Sequence, residues 1–205
     1  MAVPYKTVLL FGAPGAGKGT QGELLGNIPG FYHLSTGDMF RSLDRESELG
    51  RTFASYSEKG ELVPDELTIK LWQQYTNEQI ESGTYDPKTQ LLVLDGLPRT
   101  TDQAKLIAPL LDVLGVIHLF AMNKEAMVAR LRQRALQQKR TDDAKEEVIR
   151  TRLEIYERDT RPVLDMYDAS MVHEIDAMGT MAMVLMHVLD VVAPIHANSV
   201  VPAGV

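Results

Sequence analysis

A stretch near the start of the chain, Gly12-Ala13-Pro14-Gly15-Ala16-Gly17-Lys18-Gly19-Thr20, has the composition of a phosphate cradle. Glycines let the backbone turn several N–H groups toward one point. A helix opening directly after them adds partial positive charge at that point. Lys18 can then reach the terminal phosphates of a nucleotide as a point charge. A glycine turn of purely structural purpose is the alternative, and the position between an apolar run and a helix-forming segment argues against it. The general phosphate-loop pattern has Ser or Thr directly after the lysine. Here Gly19 takes that place and Thr20 follows, so a hydroxyl that ligates magnesium directly from the first position is missing.

Arginine is the second chemical theme. Arg41, Arg99, Arg134, Arg140 and Arg152 come from separate segments, and a planar guanidinium can grip two phosphate oxygens. Arg152 is the most informative. In a helix near Glu146 to Arg158, Ile149, Leu153 and Tyr156 form the apolar stripe, and Arg152 lies at i+3 from Ile149 and i−4 from Tyr156. A cation on a core-facing stripe must be paired or touch a ligand, because an unpaired buried charge is costly. Both a structural ion pair and a phosphate contact fit. Asp95 ends an apolar run, at the carboxyl end of a strand, where open parallel sheets place ligands. It can organise magnesium through water, or cap a turn. The five histidines are scattered without ligand-like spacing, which implies structural or surface roles for each, including His33.

These groups need a frame to position them. Thr7 to Phe11, Leu91 to Leu94 and Val116 to Met122 are short apolar runs that read as buried parallel strands. Helical spacing lies between them, starting at Gln21 to Leu25. The fold class is therefore α/β, with a parallel sheet flanked by helices in the manner of P-loop NTPases. Asn123 suits the N-cap of a following helix. The last helix is expected from about Thr180 to Ala193. Met181, Val184, Leu185, Val188, Leu189 and Val192 form its stripe, Pro194 closes it, and its methionines fill gaps in the core. Residues 195–205 then read as a loose tail.

The chain has 205 residues and suits one core with small insertions. A chain of that size buries roughly 70% of its unfolded surface and needs no staple. The lack of cysteine excludes disulfides, thiolate zinc and dithiol chemistry, and fits a reducing compartment such as the cytoplasm. A net charge of −7 excludes bulk attraction to nucleic acid. No stretch approaches the roughly 20 apolar residues of a membrane span. The first apolar run meets a glycine loop rather than a cleavage site, so it reads as a strand and not a leader.

Extended by Gln21, the loop reads GxPGxGKGTQ and resembles that of adenylate kinases. The resemblance continues from about residue 5 to 192. Leu34-Ser35-Thr36-Gly37-Asp38-Met39-Phe40-Arg41 is similar to the family's LSTGDLLR, and Gly60-Glu61-Leu62-Val63-Pro64-Asp65 to its GxLVPD. Asp95-Gly96-Leu97-Pro98-Arg99 is similar to DGFPR, and Gln103 follows at the family's interval. Arg130-Leu131-Arg132-Gln133-Arg134, Arg140-Thr141-Asp142-Asp143 and Arg152-Leu153 complete the series. The order and spacing of these matches carry more than any one of them.

The resemblance implies reversible phosphoryl transfer from ATP to AMP giving two ADP, in line and without a covalent intermediate, to balance adenine nucleotides. It implies ATP contacts by Gly15, Ala16, Gly17, Lys18, Gly19, Thr20, Arg130, Arg134 and Gly179. It implies AMP contacts by Thr36, Arg41, Glu61, Leu62, Val63, Gly96, Leu97, Pro98, Arg99, Gln103, Arg140 and Arg152. Lys18, Arg134, Arg140 and Arg152 would surround the transferring phosphoryl. Asp95 would organise Mg2+ through water, and no zinc is expected. ATP and AMP bring about six negative charges between them, which accounts for so many converging cations. The implied layout is a core of 1–34, 64–132 and 144–194, an AMP-binding insertion at 35–63, and a lid at 133–143. The lid is of the short form, with Lys139 where relatives often have glycine. Asp142 and Asp143 would pair with lid arginines or lie near the ATP ribose. The enzyme would be a cytoplasmic monomer that binds neither nucleic acid nor membrane.

Other readings compete. A relative acting on UMP, CMP or GMP would use the same loop and arginines; Thr36 and Gln103 favour AMP. The Gln103 amide can turn over, so by itself it could also serve guanine. A GTPase-like switch needs an NKxD guanine reader, and Asn123-Lys124-Glu125-Ala126 ends in the wrong residue. A catalytically silent binding module has no reason to keep Lys18 and all the arginines.

Overall fold

Val8, Leu9, Leu10 and Phe11 are each no more than 3% exposed, so they are covered from both sides. They form the middle of β1 (Tyr5–Gly12). Four more strands join it: β2 (Phe31–Ser35), β3 (Leu91–Asp95), β4 (Leu111–Phe120) and β5 (Val172–Asp176). The sheet order is β2-β3-β1-β4-β5 and every pairing is parallel. This computed structural model describes residues 3–138 and 145–200. The expected α/β sheet flanked by helices is present.

The pleat sends alternate residues to opposite layers. Val8 and Leu10 meet Leu25 of α1 (Lys18–Gly26), Met127 and Leu131 of α6 (Lys124–Gln138), Ile149 and Leu153 of α7 (Glu146–Ile155), and Val188 of α8 (Met181–Ser199). Leu9 and Phe11 face the other layer, built from α2 (Thr36–Arg41), α4 (Asp65–Glu81) and α5 (Thr101–Ile107). A short helix, α3 (Glu48–Ser57), lies between α2 and α4 in the chain. Side-chain caps start several of these helices. Asn123 Oδ1 accepts from Ala126 N–H at the head of α6, as its sequence context suggested.

Two strands were not visible as apolar runs. β2 (FYHLS) and β5 (VHEID) are the sheet's edges, where polar side chains are tolerated and the pattern is broken. β4 begins at Leu111 rather than Val116, and ends at Phe120 rather than Met122. Its early residues pair with Tyr5 to Thr7 across a register shift at Thr7/Val8, which hides the strand's period.

The last helix departs most from its expected form. α8 does not stop at Pro194 but continues to Ser199, so residues 195–199 are helical rather than a loose tail. Proline removes one backbone bond, and tertiary contacts offset that loss. His196 stacks on Phe31 with ring centroids 4.5 Å apart, Lys6 Nζ donates to the Ser199 carbonyl, and Val200 is buried. Counted across the proline, α8 has the length and apolarity of a membrane span, contrary to the sequence expectation. Val184, Val188 and Val192 are nevertheless buried in the core. Met181, Met183 and Met186 are all more than half exposed, so they are not core filler. The valines alone supply the buried edge of the stripe.

Helix α1 is rich in glycine for a packing reason. The ring of His33 on β2 lies directly beneath it, and a Cβ on Gly22 would stand 2.1 Å from His33 Nε2. In an open helix, Gly→Ala gains about 1 kcal/mol. Forcing a methyl against a packed ring costs about 1–3 kcal/mol. At that separation the clash prevails. Gly22→Ala is therefore expected to lower Tm by about 3–6 °C. In a His33→Ala background the same change is expected to be neutral or stabilising. A rise in Tm for Gly22→Ala in the parent chain would contradict this packing account.

Candidate active site

The carboxyl ends of β1 and β3 open into a cavity of about 620 Å³. Its floor is the glycine loop. Gly15 and Gly17 have φ of 86° and 97°, a region open to glycine at no steric cost. Gly17 caps α1 without any side-chain partner, and Gly17, Lys18, Gly19 and Thr20 all line the cavity. The first turn of α1 contains no acidic residue. A helix N-terminus of this kind attracts an anion through its N–H groups and its dipole.

Lys18 rises from that turn. Its Nζ donates to the carbonyls of Gly12 at 2.5 Å and Ala13 at 3.2 Å. Burial pushes its pKa down to about 8; Asp95 opposes the shift, whereas Arg99, Arg134 and Arg152 reinforce it. Three guanidiniums are thus close enough to repel the ammonium, although they come from the β3–α5 turn, α6 and α7. Arg41 on α2 and Arg130 on α6 also line the cavity. Arg130 Nη1 donates to the Ala177 carbonyl at 3.0 Å, and Arg41 Nη2 pairs with Asp38.

The β3–α5 turn is held by backbone and side-chain bonds together. Gly96 has φ of 82°, and a Cβ there would stand 2.6 Å from Thr36 Oγ1 and 2.9 Å from Arg99 Nη2. Thr36 Oγ1 lies 3.0 Å from the Gly96 carbonyl, and Arg99 Nε donates to the same oxygen at 2.8 Å. Thr160 Oγ1 donates to the Arg99 carbonyl at 2.9 Å. Thr160 ends a π-helical segment, Tyr156–Thr160, that continues α7, so the segment carrying Arg152 is tied to the one carrying Arg99. α7 also passes close to the turn before α4, where a Cβ on Gly60 would stand 3.0 Å from Arg152 Cγ.

Asp95 is 7% exposed and shares the cavity wall with Thr20. Its Oδ2 lies 3.9 Å from His33 Nε2 and 3.9 Å from where a Cβ on Gly19 would be. One carboxylate beside a hydroxyl and a phosphate cradle is a donor set that fits magnesium, which takes few protein oxygens and keeps several waters.

Among the described residues, every expected site residue lines this cavity except Leu97. The backbone reverses at Gly96, and the Leu97 side chain turns into the hydrophobic layer instead, where it is 2% exposed. Leu97 is therefore a core residue and not a cavity contact. Arg140, Asp142 and Asp143 lie outside the described residues. Several lining residues were not singled out beforehand. Tyr156, Thr160, Phe40 and Phe53 line the cavity, and the two phenylalanine rings stack at 4.9 Å and 2°. Tyr156 Oη bonds to His118 Nε2 at 2.9 Å, while His118 Nδ1 meets Glu174 at 3.2 Å. Burial holds the His118 pKa below its ordinary value despite Glu174. His118 is thus a structural histidine, braced between β5 and the π-helical segment that continues α7. The only advance sign of Tyr156 was its place on the α7 stripe.

The family model for adenylate kinase matches residues 10–172. An adenylate kinase of Mycobacteroides abscessus is 39% identical over 174 residues, covering 84% of this chain and 91% of that relative. One from Nocardia farcinica is 37% identical over 177 residues, covering 84% and 91%. One from a Cyanothece species is 40% identical over 167 residues, covering 78% and 80%.

The depressed Lys18 pKa has a measurable consequence. Below about pH 8 the amine is charged and attracts polyphosphate; above it the free protein holds a neutral amine that must take up a proton on binding. The Kd for ATP is therefore expected to rise between pH 7.5 and 9.5, approaching about tenfold per pH unit. Calorimetric titrations across that range check it. Lys18→Arg, whose side chain stays charged, should flatten the profile. A Kd independent of pH in the parent chain would contradict the role of this ammonium.

Proposed function

The chain belongs to the adenylate kinase family and is an enzyme of nucleotide phosphoryl transfer, and from that premise we propose that it moves the γ-phosphoryl of ATP to AMP, reversibly giving two ADP. The observation that carries this reading is the meeting of Lys18, Arg99, Arg134 and Arg152 around one cavity that opens over a helix N-terminus. A single nucleotide bound at the loop has little use for cations from three further segments. Two phosphate chains meeting end to end have use for all of them.

On this reading Gly15 to Thr20 hold the ATP phosphates, with Arg130 and Gly179 beside the nucleoside. Arg41 and Arg99 hold the AMP phosphate, and Thr36, Glu61 to Val63, Gly96, Pro98 and Gln103 shape the acceptor base pocket. Lys18, Arg134 and Arg152, together with Arg140, surround the phosphoryl in flight. The acceptor oxygen is already anionic, so no general base is required, and catalysis is positioning with charge stabilisation. Asp95 would hold Mg2+ through water, and the ion would offset charge on the ATP phosphates. Water at the transferring phosphoryl would divert the reaction to hydrolysis, so the segments 35–63 and 133–143 are assigned to closing over the bound pair. The enzyme works as a cytoplasmic monomer in maintaining adenine nucleotide balance.

The acceptor is tested by kcat/KM for AMP, GMP, CMP and UMP with ATP and magnesium saturating. AMP is expected to exceed each of the others by about a hundredfold or more, because a buried polar pocket penalises a base that leaves its groups unpaired. A value for UMP or CMP equal to that for AMP would contradict the assignment of the acceptor while leaving phosphoryl transfer intact.

A further inference from the structure

We infer that Asp65, which does not line the cavity, fixes which way round the Gln103 amide faces the acceptor base. The inference rests on the proposed reading of Gln103 as a base contact. Gln103 is 2% exposed, and both ends of its amide are engaged. Nε2 donates to Asp65 Oδ1 at 2.8 Å, and Oε1 accepts from Arg99 N–H at 2.7 Å. The other Asp65 oxygen, Oδ2, accepts from Thr100 Oγ1 at 2.9 Å. Thr100 Oγ1 in turn accepts from Gln103 N–H at 3.0 Å, which caps α5.

These partners leave the amide no choice. A carboxylate only accepts and a backbone N–H only donates. The orientation with Nε2 toward Asp65 and Oε1 toward Arg99 satisfies both. Turned over, Oε1 would face a carboxylate and Nε2 would face an N–H, so two bonds would become two repulsions. The locked amide keeps one hydrogen on Nε2 and one lone pair on Oε1, at fixed positions on the cavity wall. Adenine offers an amino donor beside a ring acceptor; guanine offers a carbonyl acceptor beside a ring N–H. A freely turning amide serves both, and a locked one serves a single pattern. Asp65 sits at the first turn of α4, so it also carries this constraint from the α4 layer to the β3–α5 turn. It is a positioning residue, acting through Gln103.

The test is a double-mutant cycle on the full chain. kcat/KM for AMP and for GMP would be measured, with ATP saturating, in the parent, Gln103→Ala, Asp65→Ala and the double variant, each with a melting curve. Gln103→Ala is expected to collapse the AMP:GMP ratio. Asp65→Ala is expected to lower that ratio by about tenfold through the KM for AMP, with kcat nearly kept. The double variant should be no less selective than Gln103→Ala alone, because the two residues act as one device. Asp65→Asn keeps the shape but can donate as well as accept, so it should raise kcat/KM for GMP, a gain that loss of fold cannot produce. It also decides the matter if Asp65→Ala does not fold. If Gln103→Ala collapses the ratio while Asp65→Asn leaves it at the parent value, the role of Asp65 is overturned and the reading of Gln103 survives. If Gln103→Ala leaves the ratio unchanged, the base-contact reading fails, and the inference falls with it.

Discussion

The gathering of Lys18, Arg99, Arg134 and Arg152 around one cavity is the constraint that the rest of this molecule serves. Burial depresses the Lys18 pKa, Asp95 opposes that shift, and Arg99, Arg134 and Arg152 add to it. Cations gathered in this way suit an anionic ligand such as phosphate. The sheet, the loop and the helix termini make sense as parts that bring these cations to one place.

How they are held matters as much as which they are. The turn at Gly96 gathers Thr36, Arg99 and the end of β3 within a few bonds. Thr160 joins that turn to the segment continuing α7, and Gly60 lets the chain before α4 approach Arg152 closely. Arg99 is thereby tied to the segment that continues the helix of Arg152, and Arg152 lies close to the turn before α4. That organisation suits a reaction in which positioning supplies much of the rate.

Much of the site was legible in the sequence because its chemistry is local. The loop from Gly12 to Thr20 is a continuous segment, and Arg152 betrayed itself by standing on an apolar stripe. The missed features are those that depend on partners distant in the chain. Nothing near Pro194 announces that His196 will stack on Phe31 and carry α8 onward. Leu97 has a core destination because the turn at Gly96 points it there, although its motif neighbours face the cavity. The exposure of Met183 and Met186 follows from how narrow a strip of α8 meets the sheet. The orientation of the Gln103 amide was open until Asp65, far away in sequence, appeared beside it. Edge strands β2 and β5 escaped notice because a strand covered on one side need not be apolar throughout.

We propose that one cavity accepts two nucleotides with their phosphates end to end. Titration calorimetry with a single molecule carrying two adenosines joined by a chain of phosphates tests it most directly. One such molecule is expected to bind per chain, about a hundredfold or more tighter than ATP, since the second site is then filled intramolecularly. Two molecules bound per chain, or an affinity no better than that of ATP, would contradict it.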